Sequence, residues 1–141
     1  DGMEANMIFY YSVAAYNVGG SQVAAAYECA GFFNFGNSCR PMPEQKAKGF
    51  VNYIDDKHNF YGAINYISSY YDRRDSKNVE DHRTIDATYT YSIDESMDIA
   101  ISVYNVFDNL PPAVNWEMNY DAYTHSPLGR YIKAGFTYRL Q

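Results

Sequence analysis

The side chains best suited to chemistry fall in a few short stretches. YYDRRDSKNVEDHR gathers Asp72, Arg73, Arg74, Asp75, Glu80, Asp81, His82 and Arg83 into one segment. Carboxylates grouped in this way can coordinate a divalent cation, but their spacing here matches no calcium-loop pattern, and mixed charges in a loop are more simply read as solvated. His58, His82 and His125 lie in three separate connections, so a metal site or catalytic dyad would need the fold to bring them together. Trp116, Tyr120 and Tyr123 offer aromatic faces that either stack on a sugar or an aromatic chelator or pack on one another. They are the candidate ligand contacts. No nucleophile stands beside a base, no glycine loop is shaped for phosphate and no paired acids share an element, so the sequence predicts neither catalysis nor a cofactor.

Cys29 and Cys39 flank AGFFNFGNS. A disulfide closing a loop of this size would contribute about 3 kcal/mol on the chain-entropy account, and such bonds persist at cell surfaces and in the periplasm. Two free thiols are the alternative. A metal is disfavoured because no His lies near them in sequence. In NVFDNLPP, Asp108 and Asn109 read either as a ligand site or as a local turn. The turn is favoured because Pro111 and Pro112 deny further ladder hydrogen bonds. Arg130, after Gly129, reads as a structural ion-pair partner.

These residues are carried by an acidic chain of single-domain size. The 141 residues include 11 Lys and Arg against 17 Asp and Glu, a formal charge of −6. A nucleic-acid partner is therefore excluded, since phosphate binding needs a basic stripe. Tyr is the outstanding residue, at 16 of the aromatics; its apolar ring and polar tip suit interfaces, sugar grooves and membrane boundaries alike. No run of about 18 apolar residues is present, which excludes a transmembrane helix but not a barrel, whose strands alternate. The opening DGMEANM lacks the basic-then-apolar pattern of a signal peptide, leaving a mature chain or a piece of a longer one.

Alternation with period two runs through the chain. TIDATYTYSI sets Ile85, Ala87, Tyr89, Tyr91 and Ile93 against Thr84, Asp86, Thr88, Thr90 and Ser92, and MDIAISVYNVF resumes after the polar turn DES at 94–96. KAKGFVNYI and NFYGAINYISSYY, joined by DDKH, form a second hairpin, with Phe60, Ile64, Tyr66 and Tyr70 on one face. MEANMIFYYSVAAYNV reads as another strand. The final YIKAGFTYRLQ sets Ile132, Ala134, Phe136, Tyr138 and Leu140 against Tyr131, Lys133, Gly135, Thr137 and Arg139. Six strands and no helix result. The turns at 55–58 and 94–96 are tight, whereas 19–45, 72–82 and 108–128 are long and polar. Short turns at one end and long loops at the other are the layout of an antiparallel transmembrane β-barrel.

Six strands do not close such a barrel, so a section of a larger barrel, a barrel shared between chains and a soluble sheet all remain open. NVFDNLPP and YDAYTHSPLGRYIKAGFTYRL resemble the carboxy-terminal end of TonB-dependent outer-membrane receptors, and CRPMPEQKAKGFVNY and INYISSYYDRR resemble the stretches before that family's last strands. The resemblance covers roughly residues 39–140. It implies that residues 1–141 are the last six or so strands of a barrel of about 22, with the plug domain and earlier strands absent. It also implies that Lys133, Gly135, Tyr138 and Leu140 belong to the signal read by the barrel-assembly machinery. The expected function is active uptake of a scarce solute, such as an iron chelate, cobalamin or an oligosaccharide, across a bacterial outer membrane. The expected partners are outer-membrane lipid, the rest of the barrel and its plug, and the TonB complex through the missing amino-terminal part. A soluble all-β carbohydrate-binding module and a smaller passive porin are the alternatives.

Overall fold

The computed structural model describes residues 2–11, 15–16, 27–33 and 40–140, and for 2–11, 15–16 and 27–28 it describes the backbone alone. Every regular element in these residues is a strand: β1 (Gly2–Tyr11), β2 (Ala15–Tyr16), β3 (Tyr27–Glu28), β4 (Phe32–Phe33), β5 (Gln45–Asp55), β6 (His58–Ile67), β7 (Tyr70–Asp72), β8 (Lys77–Val79), β9 (His82–Ser92), β10 (Met97–Tyr104) and β11 (Tyr131–Tyr138). Six of them make one antiparallel sheet in the order β1-β5-β6-β9-β10-β11. No barrel is closed among the described residues, and β1 and β11 stand at its edges.

Two short turns lock the register. Between β5 and β6 only Asp56 and Lys57 are unpaired, and Asp56 takes a left-handed φ of 43° that closes the loop. Between β9 and β10, the Asp94 carboxylate accepts the Ser96 amide at 2.8 Å and the Ser96 hydroxyl at 3.0 Å. Those hydrogen bonds favour the charged form and hold its pKa below the usual carboxylate value.

Residues paired directly across antiparallel strands point to the same side, so the register sorts the sheet into two faces. Val51 pairs with Gly62, Tyr53 with Phe60, Phe60 with Tyr89 and Ile64 with Ile85. Ile101 pairs with Tyr89 and Ala134, and Ile99 with Tyr91 and Phe136. Between the strand ends, where Gln45, Asp55, His58 and Arg83 fall on the same side, this face is apolar. The other carries Asn65, Thr84, Asp86, Thr88, Thr90, Ser92, Asp98 and Ser102, with Phe50 and Tyr61 in ring contact among them.

At the opposite end from the short turns the connections fold into a cap. β4, β7 and β8 form a small sheet in which β4 runs parallel to β7 and β7 antiparallel to β8. Phe33, Tyr70, Val79 and Val114 bury one another there, with Trp116 against them. The expected strand over 59–71 is therefore two strands. β6 ends at Ile67, Ser68 binds back to the amide and carbonyl of Gln45, and Tyr70 turns into the cap core instead of sharing a face with Phe60.

NVFDNLPP is a folded clasp at the base of the cap. The Asn105 side chain and the Asn109 backbone exchange hydrogen bonds of 2.9 and 3.0 Å, and the Asn109 amide group donates to the Arg83 carbonyl. Asp108, at φ 60°, accepts the Arg130 amide at 2.6 Å and so brings the two ends of the 105–130 connection together. A Cβ on Gly129 would fall inside van der Waals contact with the Asp108 carboxylate, whereas one on Gly62 meets only open space. Gly129→Ala should thus destabilise by about 1–3 kcal/mol, while Gly62→Ala in mid-strand should be neutral or stabilising by up to about 1 kcal/mol; urea midpoints of the two variants check this.

Candidate functional site

The cap brings together side chains that are far apart in sequence. β7 turns Tyr70 inward, the start of β9 supplies His82, and the 105–130 connection supplies Asp121 and His125. A short turn holds the last two in place: Asp121 Oδ1 accepts the amides of Tyr123 and Thr124 at 2.9 and 3.2 Å, and the Asp121 carbonyl accepts that of His125 at 3.0 Å. Asp121 is 1 % exposed and His125 5 %.

Four contacts then run in a line. Asp121 Oδ2 lies 2.8 Å from the Tyr70 hydroxyl, which lies 3.0 Å from His125 Nε2. His125 Nδ1 lies 3.1 Å from His82 Nδ1, and His82 Nε2 lies 3.2 Å from the Asn109 carbonyl. The Asn109 oxygen also accepts from Asn105, so the line is anchored on the clasp. At its outer end His82 lines an open cleft with Glu80, Asp81, Arg83, Asn109, Leu110 and Pro112.

The surroundings shift Tyr70 and His125 away from their charged forms. Burial, reinforced by the Asp121 charge and hydrogen bond, raises the Tyr70 pKa above its ordinary value. Burial first, and the neighbouring His82 second, lower His125 to about 4. His125 is therefore neutral near pH 7.

Beside this line the 68–81 connection makes further bonds to the 105–130 connection. The Arg74 guanidinium donates to the Asn115 carbonyl at 2.7 Å and lies over the Trp116 ring at 5.5 Å. Asn115 donates in turn to Asp75 at 3.1 Å. Asp72, which is buried, accepts the Arg74 amide through Oδ1.

The candidate ligand contacts separate. The Trp116 ring meets Phe33 edge-on at 5.9 Å and is part of the cap's packing. Tyr120 forms a bridge with Ala113. Tyr123 is exposed, with the Arg40 guanidinium 4.9 Å from its ring centre. Cys29 is buried and disulfide-bonded, while Cys39 lies outside the described residues. Lys133 and Gly135 sit on the polar face of β11, Tyr138 ends that strand on the apolar face, and Leu140 follows it, exposed. Arg130 donates to the Val106 carbonyl at 3.3 Å, a hydrogen bond to the backbone where an ion pair was expected.

His82 and His125 are the pair that sequence reasoning missed. They are 43 positions apart in separate connections, and no local period links them. The available signal was Tyr70 and Val79, apolar residues bracketing a polar Asp-Ser turn, which mark a hairpin in what otherwise reads as a solvated loop. Among the described residues no group of three or more His, Cys, Asp or Glu is arranged to hold a metal. Comparison with protein-family models, with curated proteins and with solved structures finds no match.

Removing the Tyr70 hydroxyl would leave the buried Asp121 Oδ2 and His125 Nε2 without their shared partner. Tyr70→Phe is expected to destabilise the cap by about 1–3 kcal/mol, and Tyr123→Phe, at an exposed ring, by less than about 0.5 kcal/mol. Equilibrium urea unfolding followed by Trp116 fluorescence distinguishes the two.

Proposed function

We propose that the six-stranded sheet is part of the wall of a transmembrane β-barrel in a bacterial outer membrane, and that the chain is the carboxy-terminal section of a TonB-dependent receptor for active solute uptake. The carrying observation is the reversal of the sheet's two faces. Phe60 is 50 % exposed, Ile101 50 %, Phe136 64 % and Ile132 70 %, all on the apolar face, and no second layer covers them among the described residues. On the polar face Asn65 donates to Thr84 and Asp86, Thr88 donates to Ser102 and Ser92 donates to Asp98. A water-soluble sheet buries its apolar face and solvates the polar one. A barrel wall turns the apolar face to lipid and the polar face to the lumen.

Strands of 8 to 11 residues suit a tilted bilayer crossing, for which about 9–11 residues are needed. Tyr53, Phe60, Tyr89, Tyr91 and Tyr138 collect toward the short-turn end of the apolar face, as an interfacial aromatic girdle would. The edges β1 and β11 would pair with other strands of the barrel, because unpaired backbone groups cannot stand in lipid. A sugar-binding module is less well supported, since it would lose Trp116 to the cap core.

The receptor class rests on the likeness of NVFDNLPP, YDAYTHSPLGRYIKAGFTYRL and the upstream stretches to that family. On this reading the chain closes part of the wall and contributes outer loops over a plugged lumen, with TonB engaging the amino-terminal part. The solute is an iron chelate, cobalamin or an oligosaccharide.

Fractionation of cells producing the native polypeptide tests the proposal. The expected result is recovery in the outer membrane, release only by detergent and an intact mass several times that of these 141 residues. An aqueous monomer that melts cooperatively without detergent overturns it. Within the intact barrel, Ile101→Arg should cost about 2–4 kcal/mol of stability in bilayers, whereas Thr90→Arg on the polar face should be tolerated; urea titration into vesicles measures both.

A further inference from the structure

The four contacts between Asp121, Tyr70, His125, His82 and Asn109 can be counted in hydrogens. The Asn109 carbonyl only accepts, so His82 Nε2 carries a hydrogen. Asp121 accepts two backbone amides on Oδ1 and, as a carboxylate, accepts the Tyr70 hydroxyl on Oδ2. With that hydrogen spent, His125 Nε2 donates to the Tyr70 oxygen. Both Nε2 atoms are then donors, and one further hydrogen must lie between the two Nδ1 atoms. Shifting every hydrogen along the line, so that Asp121 becomes the donor, uses the same total. Either way, four contacts hold four hydrogens, and one proton more puts two hydrogens into a single contact.

We propose that the His82–His125 pair is a one-proton latch, which fastens the 105–130 connection to β7 and β9 and releases it when acid delivers a second proton. The groups facing His125 are Tyr70 of β7, His82 of β9, Lys46 of β5 and Asp121 of its own connection. Asp72 bears on Tyr70 from the same strand. Of these only Asp121 favours a positive charge on His125, and its Oδ2 is already engaged by Tyr70. His82 and Lys46 oppose that charge, as does burial.

The sign follows from linkage. An opened cap exposes His125 at its ordinary value near 6.5, whereas the closed cap holds it at about 4. Above 6.5 both imidazoles are neutral in the open form. The closed line still holds four hydrogens, one more than a carboxylate, a phenol and two neutral imidazoles carry, so closure takes up a proton there and opening grows as pH rises. Below 6.5 the open form binds one proton more, so the opening equilibrium grows about tenfold per pH unit until about 4. The lever is placed where an outer loop meets solvent, since His82 lines the open cleft. None of this depends on the sheet facing lipid.

Hydrogen–deuterium exchange on the full-length protein in detergent micelles, corrected for intrinsic rates, tests the latch between pH 7.5 and 4.5. Peptides covering 68–81 and 112–126 should lose protection about tenfold per unit below 6.5, while the peptide covering 84–93 keeps its protection. His125→Gln, which bonds without titrating, should flatten that dependence. Where it fails to fold, His82→Gln replaces it and should reduce the slope. Protection independent of pH in the native protein, or an unchanged slope in the folded variant, overturns the latch. A protein that is soluble without detergent overturns the membrane reading and leaves this readout intact, because the same peptides are then followed in buffer.

Discussion

The structure depends on the register of one antiparallel ladder. Because side chains alternate with period two, a slip of one residue between any two strands would carry that strand's apolar set to the opposite face. Tyr53–Phe60, Phe60–Tyr89, Tyr89–Ile101 and Ile101–Ala134 are consecutive steps across five strands, each on the same side. The short turns at Asp56–Lys57 and Asp94–Ser96 hold that register from one end. At the other end Asn105, Asp108 and Asn109 hold it through side-chain bonds to the backbone.

From this register follows an unusual division of packing. The large sheet has no apolar core of its own on either side among the described residues; the buried apolar cluster lies in the cap, around Phe33, Tyr70, Val79 and Val114. The sheet's polar face is instead tied by hydrogen bonds, Asn65 to Asp86 and Thr88 to Ser102 among them. On the proposed reading, lipid takes the place of the missing second layer. The cap then serves as a separately packed unit over the lumen, with its own small sheet and its own buried polar line.

That line is costly in the sense that each buried polar group must keep its partner. Asp121 would be an uncompensated buried carboxylate without the Tyr70 hydroxyl and the amides of Tyr123 and Thr124. His125 would be a buried imidazole facing a second imidazole with no hydrogen between them. The same completeness that holds the cap closed near neutrality ties its closure to a fixed number of protons.

The alternation in TIDATYTYSI and YIKAGFTY determined β9 and β11 nearly to their ends, and the polar turns determined both hairpins, because period two and turn chemistry are local properties. NVFDNLPP likewise encoded its own turn, since the bonds of Asn105 to Asn109 span four residues. The break after Ile67, the inward turn of Tyr70 and the burial of Trp116 were decided only in three dimensions. So was the meeting of His82 with His125. Those outcomes rest on contacts far apart in sequence, from Ser68 with Gln45 at 23 positions to Arg74 with Asn115 at 41 and Tyr70 with Asp121 at 51. A residue's pattern with its near neighbours carries no information about such contacts, because loop closure over that distance is settled by what the whole cap can bury and satisfy.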